Sequence, residues 1–339
     1  MRHINIPVFI PHKGCPNDCV FCNQRTISGH SDYTPEAVEN EIETALATLP
    51  DKADVQIAFF GGSFTGIDRD EMVYLLSVTN KFIYRGRVSS VRLSTRPDYI
   101  DTERLDILKA YGVKTIELGI QSTSDKVLKA SNRGHTAKDS ERAMKLIREY
   151  GFELVGQMMV GLPEATPEDE YNTAENICLW GADAARIYPT VVFQGTELCE
   201  MAKRGGYTPL TLEDAVERCK GVKEILIKNN VECIRLGLQS GENLTDGEEV
   251  YAGDYHSAIG ELVESRIYRD IIVSEIKKSG LSDKISDREL VIFAPFGEVS
   301  KIVGHKGENK RFLKDEYCVK NIKVIEKSNI LRYNIILSV

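Results

Sequence analysis

Three cysteines near the N-terminus constrain this chain more than any other feature. Cys15, Cys19 and Cys22 are spaced C-x3-C-x2-C, and no fourth cysteine follows within 150 residues. Iron–sulfur clusters are normally held by four thiolates, so three thiolates around a four-iron cluster leave one iron without a protein ligand. The amino and carboxylate groups of S-adenosylmethionine can chelate such an iron. The spacing therefore predicts a 4Fe-4S cluster that takes an electron from an external donor and cleaves S-adenosylmethionine to a deoxyadenosyl radical.

A structural zinc site is the alternative for these cysteines, with His12 or His30 as the fourth ligand. Zinc sites usually combine a C-x2-4-C pair with a second ligand pair further along the chain, and the sequence offers no such pair nearby. A disulfide framework is disfavoured because eight cysteines in 339 residues are too sparse. The remaining cysteines are interpreted as small core residues; they are Cys178, Cys199, Cys219, Cys233 and Cys318.

The composition is that of an ordinary globular chain of about two domains. Hydrophobic residues make up 42% and charged residues 28%. No apolar run approaches the ~20 residues of a membrane span, and the N-terminus enters a predicted strand without the apolar region of a signal peptide. We therefore expect a cytoplasmic protein. The net charge of −8 disfavours a general affinity for the nucleic-acid backbone.

The first two-thirds of the chain alternate short β-branched runs with helical patterns. Six strand–helix repeats predict an α/β fold with a parallel sheet, a partial (β/α)6 TIM-like barrel whose functional loops follow the carboxyl ends of the strands. Capping boxes at Thr136 and Thr166 indicate two helix starts. Each predicted strand is followed by a polar or glycine-rich turn, so we expect the chemistry at one rim. The strands are predicted at 6–10, 55–60, 90–93, 115–120, 154–160 and 185–192.

Several polar features lie at this predicted rim. Gly61-Gly62-Ser63 follows the second strand and is either a tight turn alone or a place where main-chain groups approach the methionyl end of the cofactor. Arg133 is either a surface charge or a clamp for the cofactor carboxylate. Gln121 and Gln157 occupy strand positions that should be apolar in a doubly covered sheet. Each is either a buried, internally bonded amide or a ligand of the ribose or adenine.

Together these motifs resemble the radical S-adenosylmethionine (radical SAM) superfamily and, more narrowly, the radical domain of the elongator catalytic subunit family. The oxygen-independent coproporphyrinogen oxidases are more distant relatives. The resemblance runs from about residue 5 to 240. It is carried, in order, by the cysteine motif, Gly61-Gly62-Ser63, Thr95-Arg96-Pro97-Asp98, Gly119-Ile120-Gln121-Ser122, Asn132-Arg133-Gly134-His135-Thr136 and Ile187-Tyr188-Pro189-Thr190.

The resemblance implies a role for each rim motif. The three cysteines would be the cluster ligands, and Gly61, Gly62 and Ser63 would line the methionyl amine. Arg133 would hold the carboxylate, and Gln121 and Gln157 the ribose. Relatives often carry a glutamate where this chain has Ser94, and a hydroxyl lacks the charge-assisted bond that a carboxylate gives an ammonium. About 100 residues follow the radical domain, too few for an acetyltransferase, so we expect no acetyl transfer.

The last third is predicted to form a small second domain. A strand is expected at 235–239, a long helix at 257–278, and then a strand, a short helix, Gly304-His305-Lys306-Gly307, a helix and two strands. This order resembles the core of a KH domain, whose Gly-x-x-Gly loop clamps a nucleic-acid backbone; a plain α/β cap on the barrel is the alternative. Residues 290–339 carry a net charge of +4 and the remainder −12. We place the radical domain at 1–250, a connecting helix at 251–287 and the KH-like domain at 288–339.

These observations predict a radical SAM enzyme that abstracts hydrogen from a substrate held over the barrel rim. Among compact relatives, the resemblance favours queuine lyase, which breaks down a free modified deazaguanine base. Such a base needs aromatic faces for its heterocycle and carboxylates for its ammonium and diol. The candidates are Tyr188, Tyr255, Glu117 and Asp254, with His256 beside them; Asp254 and His256 are alternatively a helix cap and a surface histidine. Two other functions stay open, a tRNA wobble-base modifying enzyme that uses the basic tail and a zinc-stabilised RNA-binding protein.

Overall fold

Seven parallel strands form the central sheet, in the order β1-β2-β3-β4-β5-β6-β8. The computed structural model describes residues 3–10, 13–16, 18–23, 33–50, 52–238, 249–253, 255–282 and 284–339. His12, His30 and Asp254 lie outside these ranges, as does the end of the strand predicted at 235–239. The strands of the sheet are β1 (His3–Phe9), β2 (Asp54–Phe60), β3 (Ser90–Thr95), β4 (Val113–Gln121), β5 (Glu153–Val160), β6 (Ala184–Pro189) and β8 (Glu232–Leu236).

The sheet is an open, curled partial barrel, so the predicted α/β architecture is confirmed. Neighbouring strands pair in parallel from β1 to β8. The strand predicted at 235–239 is β8, and it makes the sheet seven-stranded rather than six-stranded. Residues 55–59 of β2 are all buried, Gln56 included, because strands covered on both faces expose no side to water.

Helices follow most of the strands, and their starts agree with the sequence. Thr136 and Thr166 both form complete capping boxes, with Asp139 and Asp169 at the third helical position. Among the described residues, no helix is both long and apolar enough to cross a membrane. The helices before residue 230 are α1 (Val38–Ala47), α2 (Arg69–Tyr84), α3 (Thr102–Ala110), α4 (Asp125–Ala130), α5 (Ala137–Glu149), α6 (Pro167–Leu179), α7 (Glu197–Lys203) and α8 (Leu212–Lys228).

Two short strands, β7 (Val192–Phe193) and β9 (Val250–Ala252), pair antiparallel beyond the end of β6. Val192 packs with Leu198 and Cys199 of α7 and with Val20 of the cysteine loop. This small cluster fixes the cysteine loop against the chain that follows β6. The sequence did not indicate it, because two-residue strands carry no periodicity.

The chain divides into two compact units. The first comprises residues 1–211 and 225–255, and the second residues 212–224 and 256–339. The second unit contains α9 (Ile259–Lys278), β10 (Glu289–Pro295), α10 (Val299–Val303), α11 (Glu308–Tyr317), β11 (Asn321–Lys327) and β12 (Ile336–Ser338). Its sheet has the order β11-β10-β12. Tyr268, Ile272 and Ile276 of α9 build one core with Leu290 and Ile292, so this helix is part of the second unit and not a separate connector.

Candidate active site

The cysteine loop follows β1 at the carboxyl edge of the sheet. Cys19 is buried, whereas Cys15 and Cys22 are half-buried. The main chain of Val20 anchors the loop on two sides: its N–H donates to the Ser131 carbonyl at 3.2 Å, and its carbonyl accepts from the Leu198 N–H at 2.8 Å. Cys22 N–H donates to the Cys19 carbonyl at 3.0 Å and closes a turn between the two cysteines. The thiols are therefore carried by a loop that is held in place from both sides.

Two buried guanidiniums accompany these thiols. Nη1 of Arg133 lies 3.3 Å from Sγ of Cys19, and its Nη2 donates to the Gly119 carbonyl at 2.7 Å. Arg96 holds Asp98 through two 2.9 Å bonds and donates to the Arg133 carbonyl at 2.6 Å. Burial raises the pKa of the Cys15 thiol, while the Arg133 and Arg96 charges pull that pKa down. Burial is the larger effect, so the net pKa of Cys15 is raised, and the two guanidiniums are the charges that oppose this rise.

The same charges act on His135, which follows Arg133 closely in the chain. Burial, together with the positive charges of Arg133 and Arg96, lowers the pKa of His135 to about 3. The imidazole is therefore neutral at pH 7 and lies 3.2 Å through Nε2 from the Ile120 carbonyl. His135 therefore adds no positive charge to those of Arg133 and Arg96.

Several buried polar atoms of this rim have no hydrogen-bond partner among the described residues. They are Arg96 Nη1, Gln121 Oε1, Ser131 Oγ, Arg133 Nε and His135 Nδ1. Buried polar groups are normally satisfied, so a concentration of orphaned atoms beside the cysteines indicates room for a polar group bound there. The residues present therefore fit a cluster on the three thiolates and a cofactor whose carboxylate meets the Arg133 guanidinium.

The glycine-rich turn after β2 packs main chain against main chain at the start of the cysteine loop. A Cβ on Gly62 would lie 2.3 Å from the Lys13 carbonyl oxygen, and Gly61 has φ +99°. Ser63 is fully buried; its N–H donates to the Lys13 carbonyl at 3.0 Å, and its hydroxyl lies between the Thr95 hydroxyl and the Arg96 N–H. The Ser63 carbonyl also accepts from the Gly66 N–H at 2.8 Å, so both the side chain and the main chain of Ser63 are engaged within the protein.

The two predicted amides lie at different heights in the barrel. Gln121 ends β4 at a bulge with φ +67°, close to Gly119, where a Cβ would approach Arg133 Nη2 to 2.8 Å and Gln121 Nε2 to 3.2 Å. Gln157 lies lower, where its amide donates to Glu117 at 2.8 Å and to the Ser94 hydroxyl at 3.4 Å. Gln121 thus accompanies Arg133, whereas Gln157 and Ser94 belong to a polar group inside the barrel.

Glu117 lies at the centre of that interior group and is fully buried. Its carboxylate pairs with Arg92 Nη1 at 2.8 Å and with Arg186 Nε at 2.7 Å. The sequence predicted this carboxylate as a partner for a substrate ammonium, but in the structure both of its oxygens are already engaged. Neither Arg92 nor Arg186 was selected from the sequence. An arginine in the middle of an otherwise apolar parallel strand was the available signal, since a charge there must find a buried partner.

The other substrate candidates lie on different elements of the chain. Tyr188 is half-buried two residues beyond Arg186 on β6, and burial raises its pKa against the nearby Arg186 charge. Tyr255 packs with Val191 and Phe193 in the first unit. His256 belongs to the second unit, where its ring makes an edge contact with His305 at 5.7 Å between centroids.

Among the described residues, no three or more His, Cys, Asp or Glu side chains converge on one point as ligands of a single metal ion. The thiolates of a four-iron cluster bind three different irons and need no such common point. The histidines of the zinc alternative lie outside the described residues.

Two protein-family models together match most of the chain. The model of the Radical SAM superfamily matches residues 9–177, and the Radical_SAM C-terminal domain matches residues 182–269. A tRNA uridine(34) acetyltransferase of Methanocaldococcus infernus is 32% identical over 145 residues, 42% of this chain and 27% of that protein. Elongator complex protein 3 of Homo sapiens is 26% identical over 253 residues, 61% of this chain and 46% of that protein. The chain thus spans less than half the length of these relatives.

A solved structure agrees with the fold. The archaeal Methanocaldococcus infernus Elp3 with an N-terminal deletion superposes with a TM-score of 0.61 at 23% identity, over 82% of this chain and 63% of that one. The fold, the cysteine motif and the two matching family models lead to one conclusion. The chain belongs to the radical S-adenosylmethionine superfamily, whose members use a 4Fe-4S cluster and S-adenosylmethionine.

Proposed function

We propose that this radical SAM enzyme removes a hydrogen atom from a nucleobase at the wobble position of a tRNA. The observation that carries the proposal is the helix–Gly-x-x-Gly–helix of the second unit, which has the form of a nucleic-acid backbone clamp. Curated relatives named for tRNA uridine(34) support the same substrate class.

The Gly-x-x-Gly loop is built to present its main chain. Gly304, Lys306 and Gly307 have φ values of +82°, +49° and +77°, and Lys306 is exposed. Asn309 at the start of α11 is buried and donates to the Ser265 and Ile302 carbonyls at 2.8 and 3.2 Å. A Cβ on Gly304 would lie 2.7 Å from the Asn309 N–H nitrogen. The loop is thus fixed before any ligand arrives, which reduces the entropic cost of binding.

The cofactors would be held by the residues of the rim. Cys15, Cys19 and Cys22 would hold the cluster, which supplies the electron that releases a deoxyadenosyl radical from S-adenosylmethionine. Arg133 would orient the methionyl carboxylate, and Gln121 lies beside it. The glycine turn at Gly61-Gly62 would allow main-chain groups to approach the methionyl amine. Above the interior polar group, the protein would position the hydrogen to be removed and exclude water.

Salt dependence tests the substrate class. We expect tRNA to bind the iron-loaded protein, with an affinity that falls steeply between 50 and 200 mM salt, as for any phosphate-neutralising surface. Lys306→Ala should weaken binding and reduce the salt slope by about 1, whereas Lys314→Ala, at an exposed position further along α11, should have little effect. Binding of free queuine but not of tRNA would overturn the proposal.

Queuine lyase is the second candidate, and one feature of the barrel lining, its aromatic side chains, supports it. The guanidinium of Arg186 lies 5.8 Å from the centroid of the Phe60 ring, and Tyr188 follows on the same strand. These rings offer aromatic faces of the size that a small heterocycle needs. Glu117 is already paired with Arg92 and Arg186, so it is not available to bind the ammonium of a free base. This argues against queuine as the substrate. Mass spectrometry of queuine incubated with reduced enzyme and S-adenosylmethionine distinguishes the two, since a cleaved free base supports the lyase.

A further inference from the structure

Two arginines of the barrel interior lie side by side on its last two strands. Arg186 of β6 and Arg235 of β8 are direct partners in the parallel register, so their side chains point to the same face of the sheet. Arg186 reaches Glu117 and Phe60 on that face, which is the barrel interior. Like charges placed directly across two strands are destabilising. The arrangement therefore needs compensating negative charge.

Carboxylates lie beside only two of the three guanidiniums. Buried Glu117 is shared between Arg92 and Arg186, and the exposed Glu153 lies 3.8 Å from Arg92 Nη2. Arg235 donates through Nε to the Gly237 carbonyl at 3.0 Å. No carboxylate pairs with Arg235 anywhere in the part of the chain that the structure describes. One half-buried positive charge is thus left inside the barrel.

Tyr188 completes this corner of the barrel. It lies two residues beyond Arg186 on β6. Burial raises its pKa, and both arginines are near enough for their charges to oppose this rise. A phenol beside two guanidiniums is a donor set for oxyanions. In the strand register Arg186 lies level with Gly119, whose carbonyl Arg133 contacts, and Tyr188 lies one position beyond Gln121.

We propose that Arg235, Arg186 and Tyr188 bind an anionic group of the substrate, a phosphate or a carboxylate, inside the barrel. The inference rests on the proposed function only in taking the barrel interior as the substrate site. It deepens that function by requiring a substrate with negative charge next to its reacting part. A nucleotide meets this requirement, whereas a free cationic base does not.

Calorimetric titration of the iron-loaded, full-length protein tests the inference with two probes. Sodium phosphate and sodium acetate are titrated separately at constant ionic strength, and the tighter of the two identifies the kind of anion. We expect saturable binding that weakens at least about tenfold in Arg235→Met and partly recovers in Arg235→Lys. Arg204→Met, which removes an exposed guanidinium paired with Glu197 on α7, is the matched control and should bind as the wild type does.

Two results would overturn the inference: no saturable binding of either anion, or equal binding by wild type and Arg235→Met. Circular dichroism and iron content show whether each variant is folded, and Arg235→Lys supplies the answer if Arg235→Met is not. The proposed function is tested separately, by measuring whether the protein retains tRNA at low salt. If the protein binds tRNA but neither phosphate nor acetate, the proposed function stands and only the anion-binding inference is wrong.

Discussion

Nη1 of Arg133 lies 3.3 Å from Sγ of Cys19, although 114 residues separate them in the chain. This contact joins the loop after β1 to the segment between α4 and α5. It brings the predicted cluster ligands and the predicted carboxylate clamp to one place. Four predictions follow from the site and from the packing that supports it.

Replacing Cys15, Cys19 or Cys22 by Ala should abolish reductive cleavage of S-adenosylmethionine, because each thiolate would bind one iron of the cluster. The measurements are iron content and release of 5′-deoxyadenosine from anaerobic, reduced protein. Cys178→Ala is the control, since burial raises the pKa of that thiol to about 11 and leaves it protonated at pH 7. Full cleavage by any of the three variants would contradict the cluster assignment.

Arg133→Met should weaken binding of S-adenosylmethionine by about 10–100-fold, because it removes one or two charge-assisted hydrogen bonds to the cofactor carboxylate. Arg133→Lys should recover only part of this, because an ammonium lacks the planar fork. Equilibrium dialysis with iron-loaded protein measures the affinity. Lys145→Met, an exposed charge on α5, serves as control. Unchanged affinity in Arg133→Met at unchanged iron content would remove Arg133 from the cofactor site.

Glu117→Gln should lower the free energy of unfolding by about 3 kcal/mol, because it leaves the buried guanidiniums of Arg92 and Arg186 without their counter-charge. Urea denaturation at pH 7 measures the effect. Glu141→Gln, which breaks the exposed pair with Lys145, should cost much less. A loss in Glu117→Gln as small as that in Glu141→Gln would mean that the interior arginines are solvated.

Asp169→Ala should destabilise the protein by about 2 kcal/mol at pH 7 and by less in acid. Burial raises the pKa of Asp169, but hydrogen bonds from the Thr166 N–H and hydroxyl, and then from Lys126, outweigh it and bring the pKa to about 2. A carboxyl with a lowered pKa stabilises the fold above its unfolded pKa of about 4, and this contribution is lost as the pH falls towards 2.

Urea midpoints at pH 7, 5 and 3.5 check this dependence on pH. The difference between wild type and Asp169→Ala should be constant from pH 7 to 5 and smaller at pH 3.5. Glu168→Ala, in the same helical turn but outside the capping box, should show little difference at any pH. A difference that grows in acid would contradict the assignment.

The strand–helix order, the capping boxes and the cysteine motif could be predicted from the sequence because each depends on neighbours in the chain. Apolar runs that are buried on both faces mark parallel strands, and Thr136 and Thr166 cap helices through bonds within three residues. The family was recognisable for the same reason, since its motifs are short and occur in a fixed order.

The pairing of interior charges could not be predicted in this way. Glu117 was selected as a free carboxylate, but Arg92 and Arg186 engage it from neighbouring parts of the sheet. Which residues of different strands share a face depends on register, and the bulges beside Gln121 and Arg186 shift that register. A one-residue shift moves a side chain to the other face, so local periodicity carries no information about these partners.

The sequence by itself predicted the cluster ligands and determined the parallel sheet and the Gly-x-x-Gly loop, since these depend on spacing and local conformation. Only the tertiary structure decided that Arg133 meets Cys19, that Glu117 is neutralised and that Arg235 faces the barrel interior without a carboxylate among the described residues. The physical reason is that electrostatic balance in a buried site is set by distance in space, to which the order of residues along the chain is only loosely related.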